Sequence, residues 1–154
     1  MKKKSAGILL YRLINKELEV LLVHPGGPFW KNKDEGSWTI PKGEAEDDNE
    51  ELLATAIREF KEETGTALKG NFIELTPIKQ KSGKLVYAWA IEGYLNEKKI
   101  TSNMFEIEWP PKSGKMQSFP EIDRAEWFTI QQAKEKINAA QVALLDELRK
   151  SKGW

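Results

Sequence analysis

The chain has 154 residues, 40% of them hydrophobic, with six Trp and six Phe, enough apolar material for one packed domain and too much for a disordered chain. Lysine plus arginine and aspartate plus glutamate both total 24, so the formal charge is zero and no global field draws the protein to duplex nucleic acid or a membrane surface. Cysteine is absent, which excludes disulfides, thiolate nucleophiles and Cys-ligated metals and suits a cytoplasmic protein.

The basic start, Met1 to Lys4, looks like the head of a signal peptide. The apolar run behind it, residues 7–10, is short and broken by Tyr11-Arg12, so it reads as a solvated tail on a first strand. No stretch approaches the roughly 20 apolar residues of a membrane span. Residues 6–13 and 18–24 are β-rich and read as a hairpin around Ile14-Asn15-Lys16-Glu17. Pro25-Gly26-Gly27-Pro28 then opens a polar loop with Phe29, Trp30 and two lysines, Lys31 and Lys33. A short strand is expected over 37–40, ending at Pro41-Lys42-Gly43, and a helix from about Asp48 to Thr64. Strands follow over 72–80 and 84–95, with Tyr87 and Trp89 expected in the core. Residues 96–120 read as an excursion with one strand near Ile107. A strand over 125–128 leads into 130–152, which reads as two helices or one broken near Asn138. The order β-β-β-α-β-β-(β)-β-α predicts one domain, α/β in the α+β sense, with a mixed sheet whose faces the helices must cover.

The helix carries the chemistry. Asp48 with Glu51 three residues later resembles a capping box, and Gly65 is placed to end the helix in a left-handed conformation. Leu52, Leu53, Ala56, Ile57 and Phe60 define a buried stripe. Glu59, Glu62 and Glu63 share one sector along its edge. Like charges at this spacing weaken a helix, and at its C-terminus the dipole opposes them as well. A divalent cation removes the penalty, and hard oxygen donors point to Mg²⁺ or Mn²⁺. Residues 43–65 hold nine acidic and two basic residues, a local charge of −7 that the rest of the chain balances. A solvated acidic helix face is the competing reading.

Gly43, Glu50 and Arg58-Glu59-Phe60-Lys61-Glu62-Glu63-Thr64-Gly65 resemble the Nudix box, G-x5-E-x7-R-E-U-x-E-E-x-G-U with U apolar. Two departures are visible: six residues separate Gly43 from Glu50, and Thr66 takes the last apolar position. The resemblance extends to Trp38-Thr39-Ile40-Pro41-Lys42-Gly43 and to Ala125-Glu126-Trp127-Phe128. It implies an α/β/α sandwich and Mg²⁺-dependent hydrolysis of a nucleoside diphosphate linked to another group. On that basis Glu59, Glu62, Glu63 and the Lys42 carbonyl would bind metal, Glu59 would also orient water, and Arg58 would pair with Glu50. Glu121, or else Asp123, would add a carboxylate from outside the box.

Substrate contacts are expected from Lys42 and Trp30. His24, the one histidine, reads first as structural and second as a phosphate contact. Trp38 reads as core. The lead-in to the box is similar to that of dinucleoside polyphosphate hydrolases, and nucleoside triphosphates remain open. The proline of ADP-ribose enzymes and the coenzyme A signature are missing, and the related diphosphate isomerase needs a cysteine. The alternative is a non-catalytic nucleotide sensor on the same scaffold.

Overall fold

The computed structural model describes residues 4–47 and 49–154. β1 (Lys4–Ile14) and β2 (Glu17–Pro25) form the expected hairpin. Its turn is tight because Asn15 and Lys16 both take positive φ, 51° and 66°, matching the right-handed strand twist. β1 also runs parallel to β6 (Leu85–Glu92), while β9 (Ile122–Thr129) pairs antiparallel with β2. The sheet is therefore mixed, in the order β4 (Ile73–Glu74), β6, β1, β2, β9.

β1 is central, and its inner residues are buried on both faces. Leu9 and Tyr11 point with Val20, Leu22 and Trp38 into one apolar layer, and Ile8 and Leu10 point with Leu21, Val23, Ala56 and Phe60 into the other. α1 (Leu52–Thr64) covers the second layer. α2 (Ile130–Lys136) and α3 (Val142–Ser151) cover the first through Ala133, Leu144, Leu145 and Leu148. This is the expected α/β/α sandwich. The break between the last two helices falls at Ile137 and Asn138, and α2 opens on a capping box from Thr129 and Gln132. Among the described residues no helix is long and apolar enough to cross a membrane.

Several predicted elements move. α1 starts at Leu52, because the Asp47 side chain accepts the N–H groups of Asn49 (2.7 Å) and Glu50 (3.0 Å) in a turn that competes with helix. The cap position is Glu51, which makes no side-chain capping bond; Asp48 lies outside the described residues. The strand expected over 37–40 contributes two isolated bridges, Trp38 to Ile137 and Thr39 to Val23. The strand itself, β3 (Lys42–Glu44), forms after Pro41, which has no N–H to donate. The strand expected over 72–80 splits into β4 (Ile73–Glu74) and β5 (Ile78–Lys79), both on β6. The excursion contains two strands rather than one, β7 (Met104–Glu108) and β8 (Met116–Pro120), paired as a separate hairpin. Trp38 is buried as expected, whereas Tyr87 and Trp89 are only half-buried.

The segment leading into β3 hangs on Gln141. Its fully buried amide accepts the Ile40 N–H at 3.0 Å and donates to Thr39 Oγ1 at 2.8 Å. Gln141→Leu keeps the volume and orphans the Ile40 N–H, so it should lower stability by about 1–3 kcal/mol. Urea unfolding of both proteins measures the difference; an unchanged midpoint would mean that this amide carries no such role.

Candidate active site

Three segments meet at the second half of α1. The first is β3, which lies against β1 and delivers Lys42 and Gly43 to the helix. A Cβ on Gly43 would collide with the Glu59 carboxylate, so glycine here is what allows that acid to lie against the β3 backbone. The second is α1 itself, ended by Gly65 at φ 83° with its N–H on the Lys61 carbonyl at 2.7 Å, as its sequence position requires. The third is residues 101–103. There the Thr101 N–H donates to the Thr64 carbonyl at 3.0 Å and the Asn103 N–H to the Glu62 carbonyl at 2.8 Å. These bonds satisfy helix-end acceptors and draw the chain past the acids. The Glu121 N–H then donates to Asn103 at 2.8 Å, and the Glu121 carbonyl accepts from Gly26 at 2.8 Å.

Arg58 is the hub of the acid cluster. Its guanidinium grips Glu50 in a two-point fork, 2.9 Å at each contact, so the extra residue after Gly43 does not disturb this pair. Glu46 absorbs it by donating its backbone N–H to Glu50 Oε1 at 3.0 Å. Arg58 also reaches into the acidic sector. Nη1 donates to Glu59 Oε1 at 2.9 Å and to Glu62 at 3.2 Å. Hydrogen bonds from Arg58 hold the Glu50 carboxyl down to about 2, and Glu50 in turn raises the Arg58 pKa.

Glu63 differs from its neighbours. Expected along the helix edge, it lies on the buried face, 8% exposed, and its Oε1 has no hydrogen-bond partner. Burial, and then the charges of Glu59 and Glu121, push its carboxyl well above the usual range. Glu59 is raised by burial and by Glu62, and Glu121 by burial and by Glu62. Glu121 is thus brought to the cluster, as anticipated. Asp123 is not: it binds His24 Nδ1 at 2.8 Å.

Lys42 sits at the same place. Burial lowers its pKa first and Lys84 second, while Glu63, Glu44 and Glu59 pull it back. His24, expected first as structural, lies enclosed beside Asp123. It is fully buried, and its other nitrogen, Nε2, is taken by the Lys33 carbonyl at 2.6 Å. Trp30 remains partly exposed in its loop, with Lys33 Nζ 5.0 Å from the ring centre.

The donors fit a hard divalent cation. All are oxygens, the single histidine is engaged elsewhere, and the buried Glu63 Oε1 is an acceptor awaiting a partner. Among the described residues no three acids close on one metal-sized point.

A profile described as the NUDIX domain matches residues 1–148. The chain belongs to the NUDIX family. Solved structures share the NUDIX fold. An Ap4A hydrolase of C. elegans, in a binary complex, is 24% identical, with 98% of each chain covered and a TM-score of 0.64. The NUDIX domain of Shewanella oneidensis NrtR, complexed with ADP ribose, is 16% identical over 99% of this chain and 89% of that one, with a TM-score of 0.65. A structure from work on MutT of Aliivibrio salmonicida and Vibrio cholerae is 11% identical over 95% and 94%, with a TM-score of 0.57. A search of the curated proteins found no match.

Carboxyls raised by burial and like charge bind protons more tightly in the folded NUDIX chain than in the unfolded one. The stability that Glu59, Glu63 and Glu121 contribute is full below the ordinary carboxylate pKa and is lost as pH rises through their folded values. Glu50 runs the other way: its contribution is present above the ordinary range and lost as pH falls toward about 2. In EDTA, Glu63→Gln should therefore melt higher than the parent at neutral pH and above, and the gap should close as pH falls from the raised Glu63 value to the ordinary carboxylate range. Thermal melts across pH check this, and a lower melting point for the variant at neutral pH would contradict it.

Proposed function

We propose that this chain hydrolyses a pyrophosphate bond in a nucleoside diphosphate linked to another moiety, with Mg²⁺ or Mn²⁺ as cofactor. The observation that carries the reading is Glu63, an acid enclosed without a partner on Oε1 and set among Glu59, Glu62 and Glu121. Enclosing an unpaired carboxylate is costly unless a cation or a proton compensates.

Glu59, Glu62, Glu63, the Lys42 carbonyl and Glu121 would hold the metal. When bound, it supplies positive charge that neutralises phosphate oxygens and makes water a better nucleophile. Glu59, held by Arg58 against the Gly43 backbone, orients the attacking water toward phosphorus. The Lys42 ammonium contacts a phosphate oxygen. Arg58 and Glu50 brace the β3–α1 connection, so that the acids keep their spacing under load. Trp30, with Lys31 and Lys33 beside it, contributes to substrate selection from its loop.

Among substrates, the Trp38-to-Gly43 lead-in favours a dinucleoside polyphosphate, and the C. elegans neighbour is an Ap4A hydrolase. Nucleoside triphosphates form the next class to test. A non-catalytic nucleotide sensor is the alternative. It is disfavoured because every carboxylate of the box is kept, and sensors have no need of them.

A panel of dinucleoside polyphosphates, nucleoside triphosphates and ADP-ribose, assayed with Mg²⁺ and with product identification, decides among these. Glu62→Gln and Glu63→Gln should each cut turnover by at least about 100-fold, the lower end expected for loss of a group acting in the transition state. Glu50→Gln should cost about 10- to 100-fold, as for a residue that positions ligands without being one. Metal-independent turnover, or full activity in both Glu62→Gln and Glu63→Gln, would overturn these assignments.

A further inference from the structure

Glu121 comes to the acid cluster from outside α1, and its aim depends on the two peptide planes that flank its Cα. The β2–β9 register shifts between His24 and Pro25, a break that leaves ladder groups in need of other partners. Past it, the amides of Glu121 and Ile122 find their acceptors in residues 102–103. The plane before the Glu121 Cα is held by the Glu121 N–H on the Asn103 carbonyl at 2.8 Å. The plane after it is held at both edges: the Glu121 carbonyl accepts from Gly26 at 2.8 Å, and the Ile122 N–H donates to Ser102 Oγ at 3.0 Å. The Ser102 hydroxyl donates its own hydrogen to the Asn103 carbonyl, also at 3.0 Å. That carbonyl thus accepts twice, as its two lone pairs allow.

The two bonds of Glu121 itself run between main-chain groups. The bond of Ile122 requires a hydroxyl at position 102. Ile122 is buried, 5% exposed, so water is a poor substitute for that acceptor. A peptide plane held at one edge can turn about the bond that remains; held at both, it turns only by breaking one. Turning this plane changes ψ at Glu121 and swings its side chain relative to Glu59 and Glu63, whose carboxyls both feel its charge.

We propose that Ser102 is a positioning residue for the site: its hydroxyl sets the orientation of the Glu121 carboxylate, and through it the affinity of the acid cluster for a divalent cation. This rests on the reading that Glu121 holds metal together with Glu59, Glu62 and Glu63. Ser102 acts through Glu121 and has no role of its own in the chemistry, so its effect disappears when that carboxylate is removed. A serine that merely stabilised the fold would matter equally with or without it.

The test is Mn²⁺ binding to the full chain, followed by the paramagnetic resonance of the free ion, in a double-mutant cycle of Ser102→Ala and Glu121→Gln. Ser102→Ala should weaken binding about 10- to 100-fold, the range for a partner that orients a ligand. With Glu121→Gln already in place, the same change should cost less than about twofold. Ser102→Thr keeps the hydroxyl and should bind at least about threefold tighter than Ser102→Ala. An unchanged affinity in Ser102→Ala, equal losses in both backgrounds, or a threonine variant no better than alanine would overturn the proposal. Amide hydrogen exchange in EDTA asks the positioning question without metal: Ser102→Ala should speed exchange at Glu121 and Ile122, and Ser102→Thr should not. If Glu121→Gln weakens Mn²⁺ binding and Ser102→Ala does not, this inference fails and the metal-dependent reading stands. If the parent binds no Mn²⁺, that reading fails, and exchange then decides: faster amides in Ser102→Ala keep the hold of Ser102 on Glu121, and unchanged amides remove it.

Discussion

The guanidinium of Arg58 has acids on three sides, and the rest of the site follows from how far its charge reaches. Glu50, Glu59 and Glu62 all come within hydrogen-bond range of it, with Glu46 at 3.9 Å. One cation beside several anions converts part of a repulsive cluster into a bonded one, and Arg does this where Lys could not because its donors are spread over a rigid plane. The compensation stops at Glu63. It makes no hydrogen bond to Arg58, burial raises its proton affinity, and one of its oxygens is unpaired. The helix is thus stable enough to form while leaving one acid at its buried face only partly compensated, by Lys42.

That local imbalance becomes a site through backbone hydrogen bonds. From the Glu62 carbonyl the links run to Asn103, to Glu121 and to Gly26, joining a helix end, the root of a hairpin and the start of a loop. These are main-chain groups, so the arrangement survives variation in the side chains it carries. Around a fixed acidic centre, the loop and the hairpin can therefore differ in what they present without disturbing the helix.

What was legible in the sequence is what depends on local pattern. The spacing of Glu59, Glu62 and Glu63, the stop at Gly65 and the break near Asn138 each follow from residues within one or two turns of each other, whereas the pairing of Arg58 with Glu50 came only from the family resemblance. What was not legible depends on distant or competing bonds. The late start of α1 follows from Asp47, whose side chain captures two N–H groups that a helix would have used. β3 escaped notice because a strand of three residues has no period to read, and its position is set by β1. The second strand of the hairpin is the polar run Met116-Gln117-Ser118, whose pairing with β7 shows no alternation in sequence. Glu63 moves from the expected helix edge to the buried face for a further reason: the packing of α1 on β1 and β3 encloses it, and that depends on residues far away in sequence.

His24 completes the argument about what is fixed and what is displayed. Its two ring nitrogens face acceptors, the Asp123 carboxylate on one side and the Lys33 carbonyl on the other, within a shell closed by Trp38 edge-on at 5.2 Å. The Trp38 indole in turn donates to Asp34 at 2.8 Å, and Lys136 pairs with the same carboxylate. One end of the loop is therefore anchored at Gly26 and the other at Lys33 and Asp34, through bonds that reach β9 and α2. Between these anchors stand Phe29 and Trp30. A buried histidine thus fixes where the loop's two ends lie, and hence where its aromatic middle stands.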